Sequence, residues 1–170
     1  MRLIFIFLLT SLFTGVKAQI VSRSIYDTDT LPHPLIDVSI KLNSDSFTTK
    51  NNIVVDITLT NKTEILQKVW FDQPKLSTGG PAYTWVKLIN KTLGTSPLKY
   101  ESSAILISQA CSIDVVKTYL QPLKSGESIS KKYALNKLAI FTSPDLEKGI
   151  YEMSIIYWNN RSNTVNFTIY

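Results

Sequence analysis

A single histidine, His33, and a single cysteine, Cys111, limit the chemistry open to this chain. A protein zinc site takes three or four ligands, mostly His and Cys. Two such residues far apart in sequence do not supply them. A Ser-His-Asp or Cys-His nucleophile would depend on His33 alone, which sits between Pro32 and Pro34. Ser-x-x-Lys occurs at Ser96–Lys99 and at Ser128–Lys131. In serine acyltransferases that spacing works because a helix aligns the lysine with the serine. Here one copy lies in a proline turn. The other lies on an alternating run, where positions three apart point to opposite faces. A glycosidase needs only two carboxylates, but the acids stand singly, in turns or on outward strand positions. Asp27 and Asp29 fall short of a calcium loop with six or more oxygen ligands. No catalytic residue, metal or cofactor is expected.

Met1 to Ala18 reads as a secretory signal peptide. Arg2 supplies the positive start, Leu3 to Phe13 the apolar run, and Val16-Lys17-Ala18 the cleavage site before Gln19. A spanning helix needs about 20 apolar residues, which this segment lacks. The expected product is secreted or periplasmic, with no membrane insertion after cleavage. Cys111 then has no internal disulfide partner and is expected to be buried and inert. Losing Arg2 and Lys17 from the 18 basic residues leaves a small excess over the 13 acidic ones. The lysines are scattered and show no basic face, so nucleic acid is not an expected partner. Asn61, Asn90, Asn160 and Asn166 each begin an Asn-x-Ser/Thr sequon. The sequence leaves their glycosylation open.

Gln19 to Pro34 is a polar arm ending in two prolines, which favour an extended chain. From residue 35 the period becomes two. Ile36, Val38, Ile40 and Leu42 share one face, and Ile53, Val55, Ile57 and Leu59 another. "NSDSFTTKNN" between them reads as a turn-rich connection. "ILQKVWFD" and "AYTWVKLI" are apolar on both faces, as central strands are, or as segments packed under a loop. Ser112 to Gln121 fits either helix or strand. Gly126 opens a turn into a run with Ile129, Tyr133 and Leu135 at even spacing, interrupted by Lys131. Tyr151, Met153, Ile155 and Tyr157, then Val165, Phe167 and Ile169, predict a terminal hairpin across "NNRSN". The expectation is an all-β, immunoglobulin-like two-sheet antiparallel sandwich of about 7–9 strands over residues 35–170.

"LKSGESISKKYALNKLAIF" followed by "EKGIYEMSIIY" pairs a Ser-Gly-Glu turn and an alternating strand with a Gly-x-Tyr strand. With "VVDITLTNKTEILQKVWFDQPKLS", this resembles the immunoglobulin-like domain that precedes the catalytic unit in deuterolysin-type zinc endopeptidases. It is also similar to the small intracellular proteinase inhibitor of bacilli. The likeness covers roughly Ile53 to Tyr157. It departs at Glu101-Ser102, where the peptidase domain tends to carry a glycine after the tyrosine. No His-Glu-x-x-His occurs, so no catalytic residue carries over. The resemblance implies a non-enzymatic binding module.

Two partner classes follow. The first is a protein, a peptidase among them, contacted through the loop at Thr78, Gly79, Gly80 and Pro81, whose backbone is adaptable. The second is a glycan, stacked on one of Trp70, Trp85 or Trp158. Trp70 and Trp85 are expected in the core. Strand alternation places Trp158 outward, where Arg161 and Tyr170 would join it in an aromatic and basic patch. The alternative packs Ile156 and Trp158 beneath Asn136 to Lys148.

Overall fold

The computed structural model describes residues 34–70, 83–101 and 120–170. Met1 to His33, the loop with Thr78 to Pro81, and Cys111 lie outside the described residues. So do the segment read as a signal peptide, nearly all of the arm and most of the segment read as helix or strand. Among the described residues the chain forms β1 (Asp37–Leu42), β2 (Ser46–Phe47), β3 (Val54–Thr60), β4 (Gln67–Val69), β5 (Thr84–Asn90) and β6 (Leu98–Tyr100). It continues through β7 (Gln121–Leu123), β8 (Ser128–Ala134), β9 (Ile140–Phe141), β10 (Gly149–Tyr157), β11 (Asn160–Arg161) and β12 (Val165–Ile169).

Two sheets hold most of these strands. β1, β3 and β8 form a three-stranded antiparallel sheet. The second sheet has five strands and is centred on β10. β5 and β12 both pair with Tyr151 to Met153, so they must lie on opposite edges of β10. β11 continues the β12 side beside Ile156 and Tyr157. Two short ribbons, β4 with β7 and β6 with β9, complete the set. The partition matches the immunoglobulin arrangement, with β1, β3 and β8 in the places of strands A, B and E and β5, β10 and β12 in those of C, F and G. Tyr151 adds the corner typical of that fold: its hydroxyl donates to the Glu147 carbonyl four residues upstream at 2.7 Å.

The core follows from alternation. Ile36, Val38, Ile40, Val55, Ile57, Leu59, Met153, Ile155 and Phe167 are each 5% exposed or less and belong to one cluster. Phe167 stacks on Tyr151 at 5.2 Å and meets the Phe47 ring edge-on at 5.8 Å. Phe47 was expected in a connection. It lies on β2, which pairs in parallel with β12. The chain thus leaves one sheet after β1 and joins the other at β2, a switch too short to show a period. The same connection holds Lys50, whose ammonium donates to the Ser143 carbonyl at 2.7 Å and sits 4.8 Å over the Phe141 ring.

Two Asn-Lys-Thr sequences end long strands. After β3, the buried Asn61 side chain accepts from Thr63 N–H at 2.9 Å and donates to the Ile65 and Leu123 carbonyls at 2.8 Å. After β5, Asn90 accepts from Thr92 and Leu93 N–H at 2.9 and 3.1 Å. Two of the sequons therefore act as turn caps. Gly149 opens β10 with φ +150, and a Cβ there would lie 2.9 Å from the Asn90 amide oxygen, so the close approach requires glycine.

Truncating Ile57 or Ile155, 1% and 0% exposed, to alanine is expected to cost about 2–5 kcal/mol. A typical domain has only about 5–15 kcal/mol in total. Urea unfolding of each variant checks this, and losses below about 1 kcal/mol at both sites would contradict the assigned faces.

Candidate functional site

Alternation along β5 buries Thr84, Val86, Leu88 and Asn90 and turns Trp85, Lys87 and Ile89 outward. Register with β10 then builds the outer face of the five-stranded sheet. Trp85 stands opposite Ile156, which stands opposite Arg161 on β11. Residues opposite one another share a face, so these three form one row across three strands. The next row pairs Lys87 with Ser154, and the one after that sets Ile89, Glu152 and Asn166 side by side. Trp85 is 38% exposed, Ile89 42% and Ile150 53%. Apolar residues therefore alternate with polar ones on a surface open to solvent.

The charges on this face are matched locally. Lys87 bonds both Glu101 oxygens at 2.6 Å. Lys91 lies 3.5 Å from Glu152. Arg161 donates to the Ser154 hydroxyl at 3.4 Å, which lays its guanidinium along the sheet beside Ile156. The row thus offers a flat indole, an aliphatic side chain and a planar cation in sequence. These are side chains that anchor partners, not groups that move protons.

Of the expected patch, Arg161 takes part and Trp158 does not. Trp158 is only 6% exposed, which corrects its outward placement. β10 ends at Tyr157, and Trp158 adopts φ +52. A left-handed residue leaves the strand geometry, so alternation no longer fixes where its side chain points. The ring turns inward and stacks on Tyr83 at 3.8 Å, and the Trp158 N–H donates to the Tyr83 carbonyl at 2.9 Å. Tyr83 is itself left-handed at φ +53 and meets Trp70 edge-on at 5.7 Å. Trp70 is fully buried as expected, and its backbone both donates to and accepts from the Tyr157 hydroxyl at 2.9 and 3.3 Å. The alternative placement beneath Asn136 to Lys148 does not describe this packing either.

Trp85 is the second correction. It was expected in the core, as a tryptophan in a largely apolar segment usually is, and it is 38% exposed instead. Its pairing with Ile156, set by the β5–β10 register, was the signal that one sequence does not reveal. Tyr170 is 62% exposed but follows β12, whose Ile169 pairs with Gly149 at the far end of β10 from Arg161. Seven residues of strand separate the two levels, on the order of 23 Å, so Tyr170 is not part of the patch. Thr78, Gly79, Gly80, Pro81, His33, Asp27 and Asp29 lie outside the described residues. Ser128 and Lys131 lie opposite Thr60 and Ile57 on β3, on different faces of the sheet. Among the described residues no group of His, Cys, Asp and Glu could hold a metal ion.

A shallow groove of about 460 Å³ runs between β1 and β12, lined by Ile40, Lys41, Leu42, Asp45, Val165 and Asn166 among others. It is the gap left where the chain switches sheets, and it holds no aromatic platform. The chain matches no protein-family model and no curated protein.

Trp158→Ala is expected to cost about 3–5 kcal/mol, as a buried ring does, whereas Trp85→Ala should cost less than about 1 kcal/mol. Urea midpoints of the two variants check the contrast, and equal losses would contradict it. Alkali supplies a second test. Burial pushes the Tyr83 and Tyr133 hydroxyls up to about 12 and raises Tyr157 as well. The unfolded chain releases these protons near pH 10, while the folded chain keeps them. Their contribution is therefore whole below about pH 10 and is lost as the pH climbs from about 10 through about 12. Urea midpoints should fall over that interval, and fall less steeply in Tyr157→Phe. A flat profile would contradict the burial of these rings.

Proposed function

We propose that the chain is an exported, non-enzymatic immunoglobulin-like module that holds a protein partner on the outer face of its five-stranded sheet. Trp85 is the observation that carries this reading. A tryptophan on a strand paired with β10 along its whole length, outward-facing and 38% exposed, is not required by the core. Trp and Arg dominate binding hot spots because each contributes large contact area from a planar group, and here they flank one aliphatic residue in one row. Both stand on strands rather than on loops, so little ordering is needed on contact.

Export rests on the signal-peptide pattern of Met1 to Ala18. The absence of an enzymatic role rests on the sequence, whose single histidine and single cysteine are too few for a zinc site and leave any Cys-His or Ser-His-Asp nucleophile to His33 alone. The resemblance to the peptidase-associated domain and to the bacillar inhibitor makes a secreted peptidase one partner to test. The loop at Thr78 to Pro81 remains a second contact proposed for it. A glycan is the other reading, favoured by the exposed indole beside Arg161, since a sugar ring could stack on that platform.

The test uses the secreted chain, its start fixed by intact mass, and its Trp85→Ala variant. Binding to a panel of secreted peptidases and to a glycan array is measured for both. A protein partner is expected to bind the variant at least about tenfold more weakly, a change of about 1.4 kcal/mol, with the urea midpoint held. Glycan binding lost with Trp85 would favour the second reading. Partners bound equally by both forms would remove this face from the function.

A further inference from the structure

We propose that the outer face of the five-stranded sheet pairs two copies of this chain, Trp85 of each stacked on Arg161 of the other. This rests on reading that face as a protein-binding surface, and it names the partner. Trp85 and Arg161 sit at the same level, one strand to either side of Ile156 on β10. Strand spacing puts each about 4.8 Å from β10. They are equidistant from a line along β10 and chemically complementary across it. A two-fold axis along that line exchanges the flanks, so the Trp85 position of each copy faces the Arg161 position of the other. Arg prefers such an aromatic face, on which it stacks by cation–π attraction. An isologous interface requires this self-complementarity.

The residues on the axis agree with the arrangement. Ile156 meets Ile156 of the second copy, and the 53% exposed Ile150 meets its own counterpart. Ser154, 3% exposed, lies beneath the Arg161 guanidinium and adds no bulk at the centre. Glu152 would face its own copy, but each Glu152 brings Lys91 at 3.5 Å. Arg161 spends one donor on Ser154 and, with five in all, keeps others free for the second copy. Lys87 and Lys91 are each matched by a carboxylate, so the face does not suit a strongly anionic partner. A second copy supplies both halves of the match.

The face is small. Three strands by about seven residues cover on the order of 15 Å by 23 Å, below the roughly 800 Å² per partner of a standard interface. The dimer should therefore be weak and reversible, forming from about micromolar to millimolar concentration.

Sedimentation of the full secreted chain across that range tests this. The wild type is expected to move from monomer to dimer. Trp85→Ala and Arg161→Ala should each weaken association at least about tenfold, with urea midpoints held because both side chains are exposed. The exchange variant, Trp85→Arg with Arg161→Trp, restores the cross-copy stack and should regain association to within about threefold. Trp85→Arg alone opposes Arg to Arg and should not. A wild type that stays monomeric throughout, or a dimer indifferent to both alanine variants, would overturn the proposal. Should that monomer still bind another protein in a Trp85-dependent manner, the second copy alone is wrong and the binding face stands. If Trp85→Ala alters neither association nor capture, both fall.

Discussion

Strand β10 is paired along both edges, and the register of those two ladders decides what the molecule shows to solvent. Its inward side chains, Tyr151, Met153, Ile155 and Tyr157, are all buried. Its outward ones align the neighbouring strands into rows. A slip of one residue between β5 and β10 would carry Trp85 out of its row with Ile156 and Arg161 and set the faces of the two strands against each other. Both ends of that ladder are therefore pinned. At one end Lys91 N–H donates to the Ile150 carbonyl at 2.7 Å, Ile150 N–H donates to the Thr92 hydroxyl at 3.1 Å, and Gly149 fits against Asn90. At the other, Trp158 N–H reaches the Tyr83 carbonyl.

The second of these pins comes at a cost. Tyr83 and Trp158 both adopt left-handed backbone, which costs an L-residue about 1–2 kcal/mol each. Two adjoining rings stacked at 3.8 Å, with Trp70 edge-on behind them, offset it by burying large apolar area. Tyr157 ties the cluster to the sheet through the Trp70 backbone. One cysteine leaves no internal disulfide to share the task. The aromatic cluster closes this end of the β5–β10 pair, and Trp85 and Ile156 stand one residue inside it. Rigidity at the end of the ladder therefore reaches the row of Trp85, Ile156 and Arg161 through the backbone.

Where the alternation was clean, the structure was legible in the sequence. β1, β3, β10 and β12 turn inward the residues their period assigns, with Leu42 and Val165 only partly buried, because a period of two in a half-buried strand has one solution. Legibility failed wherever another constraint replaced the period. β2 is two residues long and shows no alternation, so its pairing with β12 depends on a non-local contact. Trp85 lies in a segment apolar on both sides, and only its pairing partner reveals which side faces solvent. Trp158 was placed by extending a strand one residue too far, past the point where φ changes sign. Arg161 lies in a hairpin whose ends were both predictable, whereas Tyr170 was expected near it across that hairpin and the β10–β12 register sets it at the far end. The sequence carries two Asn-Lys-Thr turns openly, but only burial shows their amides to be caps.

The molecule's treatment of its sheet edges sharpens the reading of its outer face. β1 is a terminal strand, and Ile40 has its N–H and C=O turned away from β3. The Asn163 amide accepts from that N–H at 2.7 Å and donates to that C=O at 3.1 Å, standing in for one residue of a missing strand. β8 closes the other side of the same sheet among the described residues. It sets Lys131 opposite Ile57, an inward charge on a run that would otherwise be apolar, and burial lowers the pKa of that ammonium by desolvation. Inward lysines and side-chain plugs oppose unwanted strand pairing. On the outer side of that sheet two rows carry hydroxyls bonded to each other, Thr58 to Ser130 at 2.6 Å and Thr60 to Ser128 at 2.8 Å, and the next carries Lys41, Asp56 and Lys132. A chain that plugs one sheet edge and lines one outer face with hydroxyls and charges has ways of covering apolar surface. The opposite outer face instead presents Trp85, Ile89 and Ile150 to solvent on ordered strands. The contrast within one domain, rather than the exposure of any one residue, is what supports the proposal that this face is a contact surface.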